Sequence, residues 1–277
     1  LVAVGDRNQA INGFAGADCS SFDKIADQDN TIELPLSVNY RCGTTMISLA
    51  QEIVPHIKAH DGALKGEISH TKQLTKSLFR DNDMVLCRTS APLVGLCMKL
   101  IESGITAVVK GKDIAQDLKN LIENANTRDI KEVLAYLEEE KKKVVSVIME
   151  QRKCDEASAK NSTRYINLED RCKCIENICM YSIRDTTQLK SYISRIFSDE
   201  NIENAVTLST AHKSKGLEAN RVIILLPNTL PLKYPQQQEW QLIQEFNLKY
   251  VAITRARKEL IFVDLTEAEL LKQKIVD

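Results

Sequence analysis

Two arginines far apart in the chain suggest the chemistry of this sequence. Arg41 lies in LSVNYRC and Arg255 in LKYVAITRARKEL. Two guanidiniums brought to one anion suit a triphosphate, because a held arginine stabilises charge on a transferred phosphoryl group. Between them, STAHKSKGLE runs straight into the apolar stretch RVIILL. Its Lys215-Gly216 pair suggests phosphate, yet a phosphate-cradling loop reads GxxxxGK[ST] and this turn does not. KGKDI at 110–114 also lacks the upstream glycine and the Ser/Thr. Asp6 and Gln9 follow LVAV, Arg88 follows MVLC, and Glu218 precedes RVIILL. In open parallel sheets, ligands bind beyond the carboxyl ends of the strands. Each residue also has a plainer reading. Arg41 can pair with a surface carboxylate, Arg255 and Arg257 can be the basic last turn of a helix, and His212 can be a surface or core histidine.

The elements that must position these groups alternate. LVAVGD reads as a short strand, DNTIELPLSVNYR as a strand entering a loop, with Pro35 keeping it irregular. TTMISLAQEIVPHI has helical spacing at Met46, Leu49, Ile53 and Ile57. Met84 to Cys87 reads as a buried strand and APLVGLCMKLIESG as a helix, with Pro92 in its first turn and Gly104 at its end. ITAVVKG is a strand and DIAQDLKNLIENA a helix. Strand–helix alternation predicts an α/β fold with a parallel sheet flanked by helices. Residues 127–203 break the rhythm with helical patterns only, which predicts a helical insertion. Within it, Glu138 and Lys142 form an i,i+4 pair on a solvated face, and a DNA contact by the lysines of EEEKKK is the alternative. The alternation resumes at NAVTLST. EWQLIQEFNLKYVAITRAR reads as a helix with Leu242, Phe246, Tyr250 and Ile253 inward, ELIFVDL as the last strand, and Thr266 with Glu269 as a capping box.

The 277 residues, 43% hydrophobic and 27% charged, suit a soluble globular protein of one large domain or two average ones. No apolar run approaches the length of a membrane span and no signal peptide precedes the first strand, which predicts an intracellular, cytoplasmic protein without a membrane partner. The start at LVAVGD, without methionine, predicts a piece cut from a longer protein. The net charge of −1 excludes a surface uniformly coated in positive charge but leaves room for a local phosphate-tracking groove. Eight cysteines without a secretory signal predict reduced thiols. Cys172, Cys174 and Cys179 have C-x-C-x₄-C spacing and no second pair, so buried or free thiols are expected rather than zinc.

The order of four blocks adds a resemblance. VGDRNQAINGFAGAD, LSVNYRC, STAHKSKGLE and LKYVAITRARKEL resemble motifs III, IV, V and VI of the superfamily 1 DNA helicases of the Rep/UvrD type. The family forms are roughly VGDxxQxIYxFRGA, LxxNYRS, TxHxxKGLE and YVAxTRA. The resemblance covers roughly 1–126 and 204–265 and leaves out the insertion.

That resemblance implies a RecA-like second motor domain. It assigns 1–30 to the end of a first RecA-like domain, 31–126 with 204–277 to the second, and 127–203 to an insertion standing where the family has a larger accessory domain. It implies ATP and Mg²⁺ as cofactors, bound mainly by an N-terminal RecA-like domain that carries the Walker motifs. Single-stranded DNA and single-/double-strand junctions are the implied nucleic-acid partners. Gln9 would sense the γ-phosphate, Arg41 and Arg255 would be the two arginine fingers, and Tyr40 would flank the adenine. Lys215, Gly216 and Glu218 would support the nucleotide, while Phe14, Thr210 and His212 would face the single strand. Asn12 and Ala15 stand where the family has an aromatic residue and an arginine, and Phe246 and Asn247 where it has arginines. ATP chemistry is therefore expected to be better preserved than DNA grip. The chain alone, without a P-loop, is expected not to hydrolyse ATP. A non-enzymatic binding or interaction module and a helicase–nuclease fusion are the other expectations.

Overall fold

The computed structural model describes residues 2–13, 21–235 and 237–277. Its elements, in chain order, open with the helix α1 (Ser21–Ala26), the strand β1 (Val38–Asn39), α2 (Thr44–Ala50), β2 (Lys58–Ala59), β3 (Glu67–Thr71) and β4 (Met84–Cys87). Then come α3 (Ala91–Glu102), β5 (Ala107–Val109), α4 (Lys112–Asn124) and four consecutive helices: α5 (Ile130–Arg152), α6 (Glu156–Lys160), α7 (Thr163–Cys179) and α8 (Thr186–Ile196). The chain closes with β6 (Val206–Thr210), β7 (Ala219–Leu225), α9 (Glu239–Ile253), β8 (Ala256–Val263) and α10 (Glu267–Lys272). Six strands form one parallel sheet in the order β3-β8-β7-β4-β6-β5, and β1 pairs with β2 in a separate parallel ribbon. The expected α/β architecture is present.

Alternation along the strands divides the core. Val85, Cys87, Ile223, Leu225, Ile261 and Val263 face one layer, with α3, α4, α5, α7, α8 and α10. Met84, Leu86, Val222, Ile224, Leu260 and Phe262 face the other, with α2 and α9. This is the period-2 signature of a sheet covered on both faces. Helices α5, α7 and α8 contribute Val133, Leu137, Ile175, Ile178, Leu189 and Ile193 to the first layer, so much of 127–203 shares the sheet's own core. The outer half of α5 closes a small cluster of its own with Ala159 and Tyr165.

Local chemistry explains the helix ends. Asp129, Asp155, Ser162 and Asp185 each cap one of α5 to α8 by accepting a backbone N–H. Helix α3 ends with Ile105 N–H donating to the Leu100 carbonyl across Gly104, whose φ of +81° suits glycine. Thr266 and Glu269 form the expected capping box. Asp170 of α7 accepts the N–H groups of Ser90 and Ala91 at 2.8–3.0 Å, tying α7 to the start of α3.

Several local expectations are corrected. Residues 2–6 form no strand, and Val2 and Val4 stand exposed, because no described strand lies alongside to pair with them. Only Val38–Asn39 of the 29–41 segment is a strand. Strand β3 carries little sequence signal, since GEISHT is an edge strand with polar alternate positions. Glu138 pairs with Lys141 at 2.5 Å, one residue short of the expected Lys142, because Glu176 draws Lys141 from the other side. Cys172 and Cys174 are core residues, and burial pushes the Cys172 thiol up to about 12. No group of three metal-ligating side chains occurs among the described residues.

Helix α9 buries Tyr250 and Ile253 as expected, but the rest of its buried face differs. Leu248, Val251 and Ala252 point inward together with polar Gln244, Glu245 and Asn247, while Leu242 and Phe246 are only half-buried. Gln244 and Asn247 are inward because the 6–13 segment docks there, and Glu245 because it accepts from Arg88 and from the Leu232 N–H. Asn247 Nδ2 donates to the carbonyls of Arg7 and Ala10 at 3.2 Å each, Gly13 N–H donates to Gln244 Oε1 at 3.1 Å, and Ile11 is buried in the sheet's second layer. Asn247→Leu removes both bonds; the Ala10 carbonyl loses its side-chain donor, while the Arg7 carbonyl keeps the Ala10 N–H. It is expected to raise amide exchange across 8–13 by roughly thirtyfold, since each of the two net bonds contributes about 1 kcal/mol; exchange monitored by mass spectrometry checks this.

Candidate nucleotide and nucleic-acid site

The candidate residues divide between two edges of the sheet. Thr207 and Val222 both pair with Met84, which puts Thr210 level with Leu225 at the carboxyl edge. Ala219 opposes Ala256 at the amino edge. Six residues of strand rise at about 3.3 Å separate the two levels by roughly 20 Å. Segment 211–218 therefore runs from one edge back to the other. Glu218, Arg255 and Arg257 precede their strands or stand at their starts, so they gather at the amino edge and not beyond the carboxyl ends.

At the amino edge, Glu218 is shared. One carboxylate oxygen accepts from Arg41 Nε and the other from Arg257 Nη2. The two guanidiniums hold the Glu218 carboxyl below the usual carboxylate range, with burial opposing them. Arg41 is anchored through Nε, which leaves its Nη nitrogens for another acceptor. Asn39 Oδ1 accepts the N–H groups of Arg41 and Cys42 at 2.9 and 2.8 Å, shaping the turn that aims Arg41 outward. The surface-carboxylate reading of Arg41 thus has a partner, though this one is itself a candidate site residue.

Arg255 lies in the turn between α9 and β8, not in the helix. It is 2% exposed. Its Nε donates to the Val251 carbonyl at 2.9 Å, Nη1 to the Leu217 carbonyl at 2.9 Å and Nη2 to Thr254 Oγ1 at 3.3 Å. All these acceptors are neutral. Burial, and next the charge of Arg41, push its pKa down, while Glu218 acts in the opposite sense. A buried cation on neutral acceptors is unfavourable unless an anion completes it.

A cleft of about 490 Å³ opens beside this group, lined by Tyr40, Arg41, His60, Arg257 and Lys258 among others. Tyr40 is largely exposed and stacks on His60. Lys215 donates to the Gln9 carbonyl at 2.9 Å, and Gln9 Nε2 donates to Asp6 Oδ2 at 2.7 Å. The structure thus brings the 6–9 turn against the 211–218 segment. Gly216 has a φ of +88°, which β-carbon-bearing residues adopt at a cost of about 1–2 kcal/mol.

At the carboxyl edge, Thr210 is buried and its hydroxyl accepts the Lys213 N–H at 3.3 Å, so it offers little to a ligand. His212 is partly buried, and burial, with Arg88 second, lowers its pKa to about 3. Arg88 grips Glu245 of α9 through Nε and Nη2 at 2.6–3.1 Å. The folded imidazole stays neutral from pH 6.5 down to about 3, whereas the unfolded one protonates below 6.5. Stability is therefore lost as pH falls through that window, by about 1–2 kcal/mol from pH 7 to pH 5. Urea unfolding at the two pH values, with His212→Gln as the variant that loses this component, checks it. Phe14 and Ala15 lie outside the described residues.

Sequence reasoning missed three participants. Arg257 was legible only as a helix end, since β8 begins at Ala256, earlier than its apolar run implies. Asn247 looked like a lost arginine and is a clamp. His60 carried no sequence signal.

The model of the UvrD-like helicase C-terminal domain family matches residues 108–267, more than half of the chain. The chain is also 25% identical, over 297 aligned positions, to F-box DNA helicase protein 1 of Schizosaccharomyces pombe (strain 972 / ATCC 24843). That alignment covers 95% of this chain and 31% of the relative's length.

Proposed function

The chain belongs to the UvrD-like helicase C-terminal domain family, and from that membership we propose that it is the second motor domain of an ATP-dependent DNA helicase or translocase. The observation that carries this reading is Arg255, a buried guanidinium on neutral acceptors, set beside the Arg41–Glu218–Arg257 group at one edge of the sheet. Such an arrangement is suited to an anion presented from outside. Arg41 and Arg255 would meet the γ-phosphate as arginine fingers, and Tyr40 would flank the adenine. Lys215 and Gly216 would hold the turn that carries Glu218, and Gln9 would link the phosphate to the 211–218 segment.

The donor chemistry fits the phosphate end of ATP and not Mg²⁺. Glu218, the carboxylate at the centre of the group, is already shared by two arginines. We assign Mg²⁺ and the phosphate cradle to a partner RecA-like domain of the same protein, to which residues 1–30 would belong at their end. Residues 31–126 and 204–277 would form the second motor domain, and 127–203 its helical insertion. Single-stranded DNA and its junctions would pass the carboxyl edge near His212 and Thr210, with Phe14 as the base-stacking candidate. The 211–218 segment reaches both edges, so a shift at the nucleotide would be felt at the strand. No described helix is long and apolar enough to cross a membrane; a cytoplasmic location is part of the proposal.

The test is ATP hydrolysis by the full-length protein, with and without single-stranded DNA, beside the 277-residue chain. Stimulated turnover by the former and none by the latter is expected. Turnover by the chain alone comparable to the full-length protein would overturn the division of labour. A full-length protein inert with every nucleic acid would favour a non-catalytic binding module, the reading that Asn12 and Ala15 support.

A further inference from the structure

The short ribbon of β1 and β2 sets two rings side by side. Val38 pairs with Lys58 and Asn39 with Ala59 in parallel register, and His60 N–H donates to the Asn39 carbonyl at 3.1 Å. Tyr40 and His60, the next residue on each strand, are therefore neighbours. Their ring centroids lie 5.2 Å apart with 17° between planes. His60 is itself fixed, because Nδ1 accepts the Gly62 N–H at 3.0 Å. Tyr40 stays 78% exposed, so His60 covers one face of the phenol and the other is open to the cleft. A base cannot enter between the rings, since two stacking gaps need about 7 Å.

We propose that His60 is a positioning residue for the base of a purine nucleotide: it backs the Tyr40 ring so that its outer face is presented beside Arg41 and Arg257. The proposal rests on the reading in which Tyr40 flanks the adenine. An exposed tyrosine without a backing ring samples several rotamers, and ordering it on binding costs about 0.5–1.5 kcal/mol, equivalent to about 2–10-fold in affinity. The stack with His60 meets that cost in advance. Phosphoryl transfer itself is untouched, so the effect falls on KM and not on kcat.

The experiment measures the ATP KM and kcat of the full-length protein at saturating single-stranded DNA. His60→Ala is expected to raise KM about 2–10-fold at constant kcat, and His60→Phe, which keeps a stacking ring, to restore it. Tyr40→Ala is expected to raise KM about tenfold or more, since a base stack is worth about 1–3 kcal/mol. Adding His60→Ala to Tyr40→Ala should then change nothing further, because the residues act as one unit. If Tyr40→Ala raises KM and His60→Ala does not, the positioning role is wrong while the Tyr40 reading stands. If Tyr40→Ala leaves KM unchanged, that reading falls and the inference with it. If His60→Ala is equally harmful with and without Tyr40, or lowers kcat, His60 acts by another route and the proposal is overturned. Where His60→Ala folds poorly, equilibrium binding of a non-hydrolysable ATP analogue to His60→Phe and His60→Leu decides the same question: the ring-bearing variant should bind like the parent and the leucine variant about 2–10-fold more weakly, and equal binding by the two overturns the proposal.

Discussion

Arg41→Ala is expected to lower the DNA-stimulated ATP turnover of the full-length protein by about 10³–10⁵, the span associated with loss of an arginine finger, and to leave its melting temperature nearly unchanged. The side chain is 35% exposed and, among the described residues, bonded only through Nε to Glu218. An exposed ion pair of this kind contributes about 0–1 kcal/mol to stability. Its loss frees Glu218 to remain with Arg257, so no buried charge is stranded. Turnover and folding thus separate in this variant, and a kinetic loss is read directly as lost transition-state stabilisation. ATP binding, measured at equilibrium, should fall far less than turnover. Turnover within about tenfold of the parent would remove Arg41 from the site.

Arg255 gives the second large effect, and a different one. Arg255→Ala should abolish turnover to the same degree but also destabilise the domain by about 2–4 kcal/mol, visible as a lower urea midpoint. The side chain is among the largest fully buried ones, and its three donors satisfy the Leu217 and Val251 carbonyls and Thr254 Oγ1. Removing it opens a cavity and takes a donor from each of those acceptors, of which the Val251 carbonyl keeps Thr254 Oγ1. Arg255→Met separates the contributions, because it keeps much of the apolar volume and removes the charge; its urea midpoint should recover toward the parent while turnover stays lost. Arg255→Lys should not restore activity, since a single ammonium cannot reproduce the three-way grip of the planar guanidinium. An active Arg255→Met protein would assign Arg255 a purely structural role.

The two arginines show why residues of equal standing in their motifs are expected to respond differently to substitution. Both stand in short recognisable blocks, and nothing in LSVNYRC or VAITRARKEL distinguishes an exposed arginine from a buried one. The difference lies in which chain segments cover them. Arg41 projects from a turn beside an open cleft, whereas Arg255 is enclosed by the end of α9 and by Leu217 of the crossover.

The sequence by itself determined the α/β alternation, the buried strand Met84–Cys87, the helix ends at Gly104 and Thr266, and the four blocks in their order. These are legible because period-2 and period-3.6 burial, caps and turn glycines act over a few residues. The tertiary structure alone decided that Arg41, Glu218, Arg255 and Arg257 gather at the amino edge and Thr210 and His212 at the carboxyl edge. That depends on register between β4, β6 and β7, which are remote in sequence. It also decided that Glu218 joins Arg41 to Arg257, that α9 turns Asn247 and Gln244 inward to hold the 6–13 segment, and that His60 backs Tyr40. Each pairs residues whose local patterns are silent about one another, and only closing the loops between them makes the contacts.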